Sequence, residues 1–226
     1  MQEDDEGGGG GIALGRTLAL SDGIFAIAMT LLAFQIQPPD LQGNEVHHLA
    51  SALGALGTRY FVYVLTFAVI GLLWLAHHRA FRHIKRADEA LMSLNILFLM
   101  AIAALPFPSA VMGRYGDQRA AVVLYASSMI VAGSLLGALL LLARRRRLLT
   151  PGTSHEGVVA ALWNSVSTVV VFTLSIPVAL VAPTVAPYTW VLLLPLRLVG
   201  GKVSRRGAES DRRGQAQTAR LRAISD

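Results

Sequence analysis

Apolar blocks alternating with short polar connections organise the chain and predict an all-α, polytopic membrane protein. The first block, about Gly15 to Gln37, stops at Pro38 and Pro39, neither of which can continue a helical hydrogen-bond ladder. Pro38 to Gly57 is a polar connection with a short apolar stretch near Leu49 to Leu56. Further helices are expected at about Arg59–His77, Glu89–Val111, Ala120–Ala143 and Glu156–Val181. Pro106 and Pro108 should kink or fray the third of these six segments, and Pro177 should kink the fifth. A sixth, about Thr184 to Val199, is short and carries Pro187 and Pro195. A bilayer core is crossed by ~20 apolar residues, so six transmembrane helices over residues 15–199 is the expected architecture. No internal repeat is visible.

Composition agrees with that pattern. The 226 residues are 54% hydrophobic and 15% charged, against roughly 25% charged in soluble domains. The charges gather at the ends and in a few connections. Residues 1–14 are acidic and then glycine-rich, which predicts a flexible tail; the acidic start has the wrong sign for a secretory leader. Arg79–Arg86, Arg144–Arg147 and the basic tail 200–226 fall on one side if six helices put both termini there. The positive-inside rule makes that side cytoplasmic, and a multi-pass protein of the cell membrane is expected. The formal net charge of +6 is then read as orientation and contact with anionic lipid, not as nucleic-acid binding. There is no cysteine, hence no disulfide, thiolate nucleophile or Cys-based metal site.

The candidate chemistry lies in the first helix. Ile27, Leu31 and Phe34 share one face at helical spacing, with Thr30 beside them and small Ala26 and Ala28 as neighbours. Ordinary helix packing accounts for such a stripe equally well. Arg16, Ser21 and Asp22 lie in the first half of the same apolar block. A charge in hydrocarbon costs ~3 kcal/mol or more unless paired or wet, so these residues sit at headgroups or face protein or water inside a bundle. Spacing leaves both open. The histidines of HHRAFRH do not place two ligands at i, i+4, so no metal site is expected. One intramembrane carboxylate, Asp22, is too little for acid–base catalysis, and no enzyme is expected. A proton-coupled or other secondary transporter using Asp22 is the alternative, although carriers usually show internal repeats.

Arg16-x-x-x-Leu20-Ser21-Asp22-Gly23, followed by IFAIAMTLL, resembles the first helix of the prokaryotic TMEM175-type potassium channels. Leu20 departs from the Phe of that signature. The likeness continues in F-x-x-x-G-x-x-W-x-x-H-H-R-x-F at Phe67–Phe81, in Leu94-Asn95-x-Leu-Phe-Leu and Leu105-Pro-Phe-Pro-Ser109, and in Ala121-x-x-x-Tyr125. It covers most of the first four segments; the last two match only in general character. The resemblance implies a homotetramer of six-helix subunits whose first helices line a central pore for potassium ions, with no cofactor and membrane lipid as the surroundings. It implies a constriction at Ile27, further apolar rings at Leu31 and Phe34, and a cation-selective layer at Thr30. Arg16, Ser21, Asp22, Trp74, His77 and Asn95 are then expected to form a supporting network. No TVGYG stretch occurs, so selectivity is expected to be modest.

Overall fold

A computed structural model of the chain describes residues 6–39, 49–82, 84–150 and 155–193. The described residues are helical apart from their connections: α1 Glu6–Ala33, α2 Leu49–Ala55, α3 Gly57–Phe81, α4 Glu89–Ala104, α5 Pro106–Tyr115, α6 Arg119–Arg145, α7 His155–Val181 and α8 Ala186–Thr189. A 3-10 turn, Trp190–Leu192, follows. Four stretches among them are long and apolar enough to cross a bilayer: Leu14–Ala33, Leu49–Phe81, Glu89–Tyr115 and Arg119–Arg145. Ser165–Val181 is a shorter apolar stretch.

The ends of the first helix differ from expectation. It begins at Glu6, so its backbone runs through the glycine run that was expected to be a flexible tail. Extending an existing helix needs no new nucleus, which offsets part of the ~1 kcal/mol that each glycine costs. At the other end it stops at Ala33, four residues before Gln37. The chain there tightens into i→i+3 bonds, from the N–H groups of Phe34, Gln35 and Ile36 to the carbonyls of Leu31, Leu32 and Ala33. Pro38 disfavours helical φ/ψ at Gln37, so the helix must end ahead of it.

The third expected helix is two. α4 stops at Leu105, and Pro106 restarts the helix at a first-turn position, where its missing N–H has no ladder bond to lose. α7 passes through Pro177 and ends at Val181. Of the sixth expected helix only residues 184–193 are described, as α8 and the short turn. The rest of it, the basic tail and residues 1–5 lie outside the described residues.

α1 packs on α3, α4 and α5, while α6 lies along α7 and against α4 and α5. Gly133 of GSLLG lets α6 and α7 come together: a Cβ there would stand 3.2 Å from Val169 Cγ2, whereas one on Gly137 would make ordinary contact with Ser165 Cβ at 3.5 Å. Phe25, Phe81 and Phe98 fill one end of the core, and Tyr125, Phe172 and Trp190 another part. Tyr125 and Trp190 stack with ring centroids 4.6 Å apart.

The connections sort the bundle into two ends. At one, Ile84 bridges Leu149, the Lys85 N–H donates to the Leu148 carbonyl, and Arg146 pairs with Asp88 at 3.0 Å. This is the end with Arg79, Arg82, Lys85, Arg86 and Arg144–Arg147. The other end holds residues 34–39 and the α4–α5–α6 turns.

Candidate functional site

The site is built on α1, whose residues divide between two faces. Thr17, Ser21, Phe25, Ala28 and Leu32 recur every three or four positions and are buried against the rest of the bundle. On the opposite side Arg16, Leu20, Asp22, Ile27, Thr30, Leu31 and Phe34 are exposed. Ile27 is 60% accessible, Leu31 43% and Phe34 76%. An apolar stripe this open on a helix is unusual for a side that meets only water, and marks a surface that meets lipid or protein.

Two polar clusters pin the buried face. In the first, the Ser21 hydroxyl donates to the Thr17 carbonyl at 2.8 Å. Asn95 Nδ2–H donates to Ser21 Oγ at 3.3 Å. His77 Nε2 lies 2.9 Å from Asn95 Oδ1. Since that oxygen only accepts, Nε2 carries the proton. The His77 ring is wedged between Phe81 (centroids 4.3 Å apart) and Phe98 (5.3 Å, interplanar angle 11°), with Phe25 beside it. Next to this cluster Trp74 Nε1–H donates to Asp22 Oδ1 at 2.8 Å.

Five of the six expected network residues are therefore brought together, as Ser21–Asn95–His77 and Asp22–Trp74. Arg16 is exposed on the open face and joins neither; among the described residues it has no carboxylate partner. Nor is a cluster able to hold a metal ion found among the described residues.

The second cluster is not legible from sequence spacing. Gln35 Nε2–H donates to the Pro106 carbonyl at 2.8 Å, and the Ser109 hydroxyl donates to Gln35 Oε1 at 2.9 Å. Thr66 Oγ1 lies 3.0 Å from Ser109 Oγ and 2.9 Å from the Tyr125 hydroxyl, and is 2.7 Å from the Val62 carbonyl. The end of α1 is thus tied to the α4–α5 break and, through it, to α3 and α6. Gln35 is one of the few polar side chains close to a proline stop in an apolar block, and that was the available signal.

Thr30 is exposed, and its hydroxyl is shared between the carbonyls of Ile27 (2.8 Å) and Ala26 (3.0 Å). With the hydroxyl proton turned onto the backbone, the oxygen lone pairs are left for the open side. Phe34 sits in the turn beyond α1, so it does not continue the helical register of Ile27 and Leu31.

The family profile described as "Endosomal/lysosomal potassium channel TMEM175" matches residues 16–106. A protein named a potassium channel from Streptomyces collinus is 46% identical over 113 residues, covering 50% of this chain and 54% of that protein. One of the same description from Chamaesiphon minutus is 39% identical over 115 residues, covering 50% of this chain and 57% of the relative. The match thus spans little more than half the length of these relatives. The mouse "Endosomal/lysosomal proton channel TMEM175" is 41% identical over 97 residues, 40% of this chain and 19% of that protein. In fold the likeness runs further. The crystal structure of a lysosomal potassium-selective channel TMEM175 homologue from Chamaesiphon minutus superposes with a TM-score of 0.73 at 29% identity, covering 83% of this chain and 98% of that one. Residues 16–106 match the TMEM175 family profile, and over most of its length this membrane chain is similar in fold to the Chamaesiphon minutus TMEM175 homologue.

Proposed function

We propose that the chain is one subunit of a potassium channel, conducting modestly in favour of potassium over sodium through a central pore lined by α1. In this reading four copies assemble about a common axis in the cell membrane, each with six helices and with both termini cytoplasmic. Potassium is the permeant ion, no cofactor is involved, and the chain is not an enzyme. The observation that carries the reading is the open apolar stripe of α1, backed by a face held at both ends by polar anchors.

Ile27 forms the neck. Four such side chains around an axis close a passage by expelling water, and small rotations of α1 rewet it. Leu31 and Phe34 extend the dry section, with Phe34 on a turn and therefore free of the helical register. Thr30 supplies the oxygen layer that replaces part of the ion's hydration shell. The names of the bacterial relatives and of the Chamaesiphon structure support potassium as the ion. Ser21, Asn95 and His77 fix the rotation of α1 from behind; Trp74 orients Asp22, and Arg16 is left to meet a neighbouring subunit. Flux from liposomes tests this. Ile27→Asn should widen conduction and lower the preference for potassium over sodium. Unchanged flux would remove α1 from the pore.

A proton-coupled or other secondary transporter using Asp22 is the second reading, favoured by its exposed, Trp74-oriented carboxylate. Asp22→Asn separates the two: a coupled carrier loses proton coupling and keeps its assembly, whereas the channel subunit loses assembly or expression.

A further inference from the structure

At the end of the bundle opposite the Arg79–Arg147 connections, a cavity of about 650 Å³ opens between α3, α5 and α8. It is set back from Ile27 and Thr30, neither of which lines it. Two arginines face it, Arg59 near the start of α3 and Arg114 near the end of α5. Gly113 of α5 faces Arg59, and a Cβ there would make ordinary contact with Arg59 Cγ at 3.7 Å. Both arginines also line an adjoining groove of about 390 Å³ beside Pro106 and Ala110, which Leu31 and Phe34 line as well. Among the described residues neither guanidinium pairs with a carboxylate. The Arg114 head lies 5.6 Å from the centroid of the Tyr115 ring. Asp117 shares the cavity wall, with its carboxylate taken by the Gln118 side-chain amide at 3.0 Å. Two arginines and one aspartate leave one positive charge. The far wall is aromatic, with Phe61 and Tyr188 in ring contact at 5.5 Å and Tyr188 66% accessible.

We propose that this cavity binds the phosphodiester headgroup of an anionic phospholipid in the leaflet at that end. Arg59 and Arg114 hold the phosphate, and the Phe61–Tyr188 wall guides the first part of an acyl chain. Arg59 stands near the start of the 25-residue α3 and Arg114 near the end of the apolar stretch Glu89–Tyr115, the depth at which headgroups lie and Tyr side chains concentrate. The single positive charge matches a monoanionic diester better than a dianionic phosphate. Guanidinium groups hold phosphate oxygens with paired, charge-assisted hydrogen bonds, so the site distinguishes anionic from zwitterionic lipid. The proposal needs the chain to be embedded in a membrane and does not require it to conduct.

Native mass spectrometry of the full chain, titrated with phosphatidylglycerol or phosphatidylcholine of the same acyl length, tests it. The wild-type chain should retain phosphatidylglycerol about tenfold better, the order of difference that one charge-assisted contact supplies. R59Q/R114Q should lose most of that preference, while R144Q/R145Q, at the opposite end, should lose much less of it. R114Q alone changes an exposed side chain and should lower the preference without disturbing the fold. Photo-crosslinking of the wild-type chain with a diazirine-bearing phosphatidylglycerol should label residues 57–62, 112–117 or 184–188. Equal retention by wild type and R59Q/R114Q would overturn the proposal, as would labelling confined to other segments. Displacement of the lipid by glycerol phosphate at equal concentration would overturn the lipid as occupant in favour of a free phosphate ester.

Discussion

Asn95 of α4 ties α1 to α3 inside the core. It is 1% accessible and joins Ser21 of α1 to His77 of α3. Ser21 keeps its bond to Thr17 without it, but the His77 Nε2–H is left in the core with nothing to meet. An orphaned buried donor costs about 1–3 kcal/mol. Asn95→Leu is therefore expected to lower the thermal midpoint of the detergent-solubilised chain. Trp74→Phe, which removes a bond to an exposed carboxylate, should lower it less; the reverse order would mean that the Asp22–Trp74 pair holds the helix. The partners Trp74, His77 and Asn95 were legible only through the family likeness, since their spacing alone says nothing about contact. Gln35, Thr66, Ser109 and Tyr125 were not legible as a cluster. They lie 43 to 74 positions apart in the pairs that bond, and a lone hydroxyl in an apolar block reads the same whether it faces a partner or its own backbone. Within that cluster three hydroxyl protons serve four contacts, so Thr66 and Ser109 must share donor roles between two arrangements.

Between α6 and α7 the small residues decide the spacing. Gly133 faces Val169 and Thr168 at distances that leave no room for a larger side chain, whereas the space at Gly137 accepts a methyl in ordinary contact. Gly133→Leu should destabilise the bundle by about 1–3 kcal/mol through overpacking, while Gly137→Ala should be close to neutral in the same unfolding assay. At the basic end, Asp88 caps α4 by accepting the Leu91 N–H at 2.8 Å and also pairs with Arg146. These contacts, the backbone bond first, hold its carboxyl below the usual aspartate value. A carboxyl lowered in the folded state stabilises the fold above its unfolded pKa and loses that contribution as pH falls through the folded one. Acidification below the aspartate range should therefore loosen the tie between the α3–α4 and α6–α7 connections, read as faster hydrogen exchange at Leu91. Asp88→Ala, which removes both the cap and the Arg146 partner, should show the looser exchange already at neutral pH.

The arrangement of the whole assembly rests on which way the open stripe of α1 points. The chain has no cysteine, so a single introduced one reports without background. Ile27→Cys is expected to give a covalent dimer on oxidation in the membrane, because side chains around a narrow axis come within disulfide reach. Val181→Cys, 83% accessible at the end of α7, should remain monomeric under the same treatment. A monomer with Ile27→Cys and a dimer with Val181→Cys would turn the subunit inside out and end the pore reading.

The order of the apolar blocks and the membrane class were present in the residues themselves, because a bilayer imposes a length and an apolarity that composition records directly. The faces of α1 were present as a periodicity, without saying which neighbour each would meet. Tertiary structure alone decided that Arg16 stands apart from the network, that Phe34 falls on a turn, and that Gln35 reaches Pro106. It also decided that Arg59 and Arg114 share a cavity. Each of these depends on contacts between helices far apart in the chain, and helix-to-helix register is set by the packing of whole surfaces, which no local window of sequence contains.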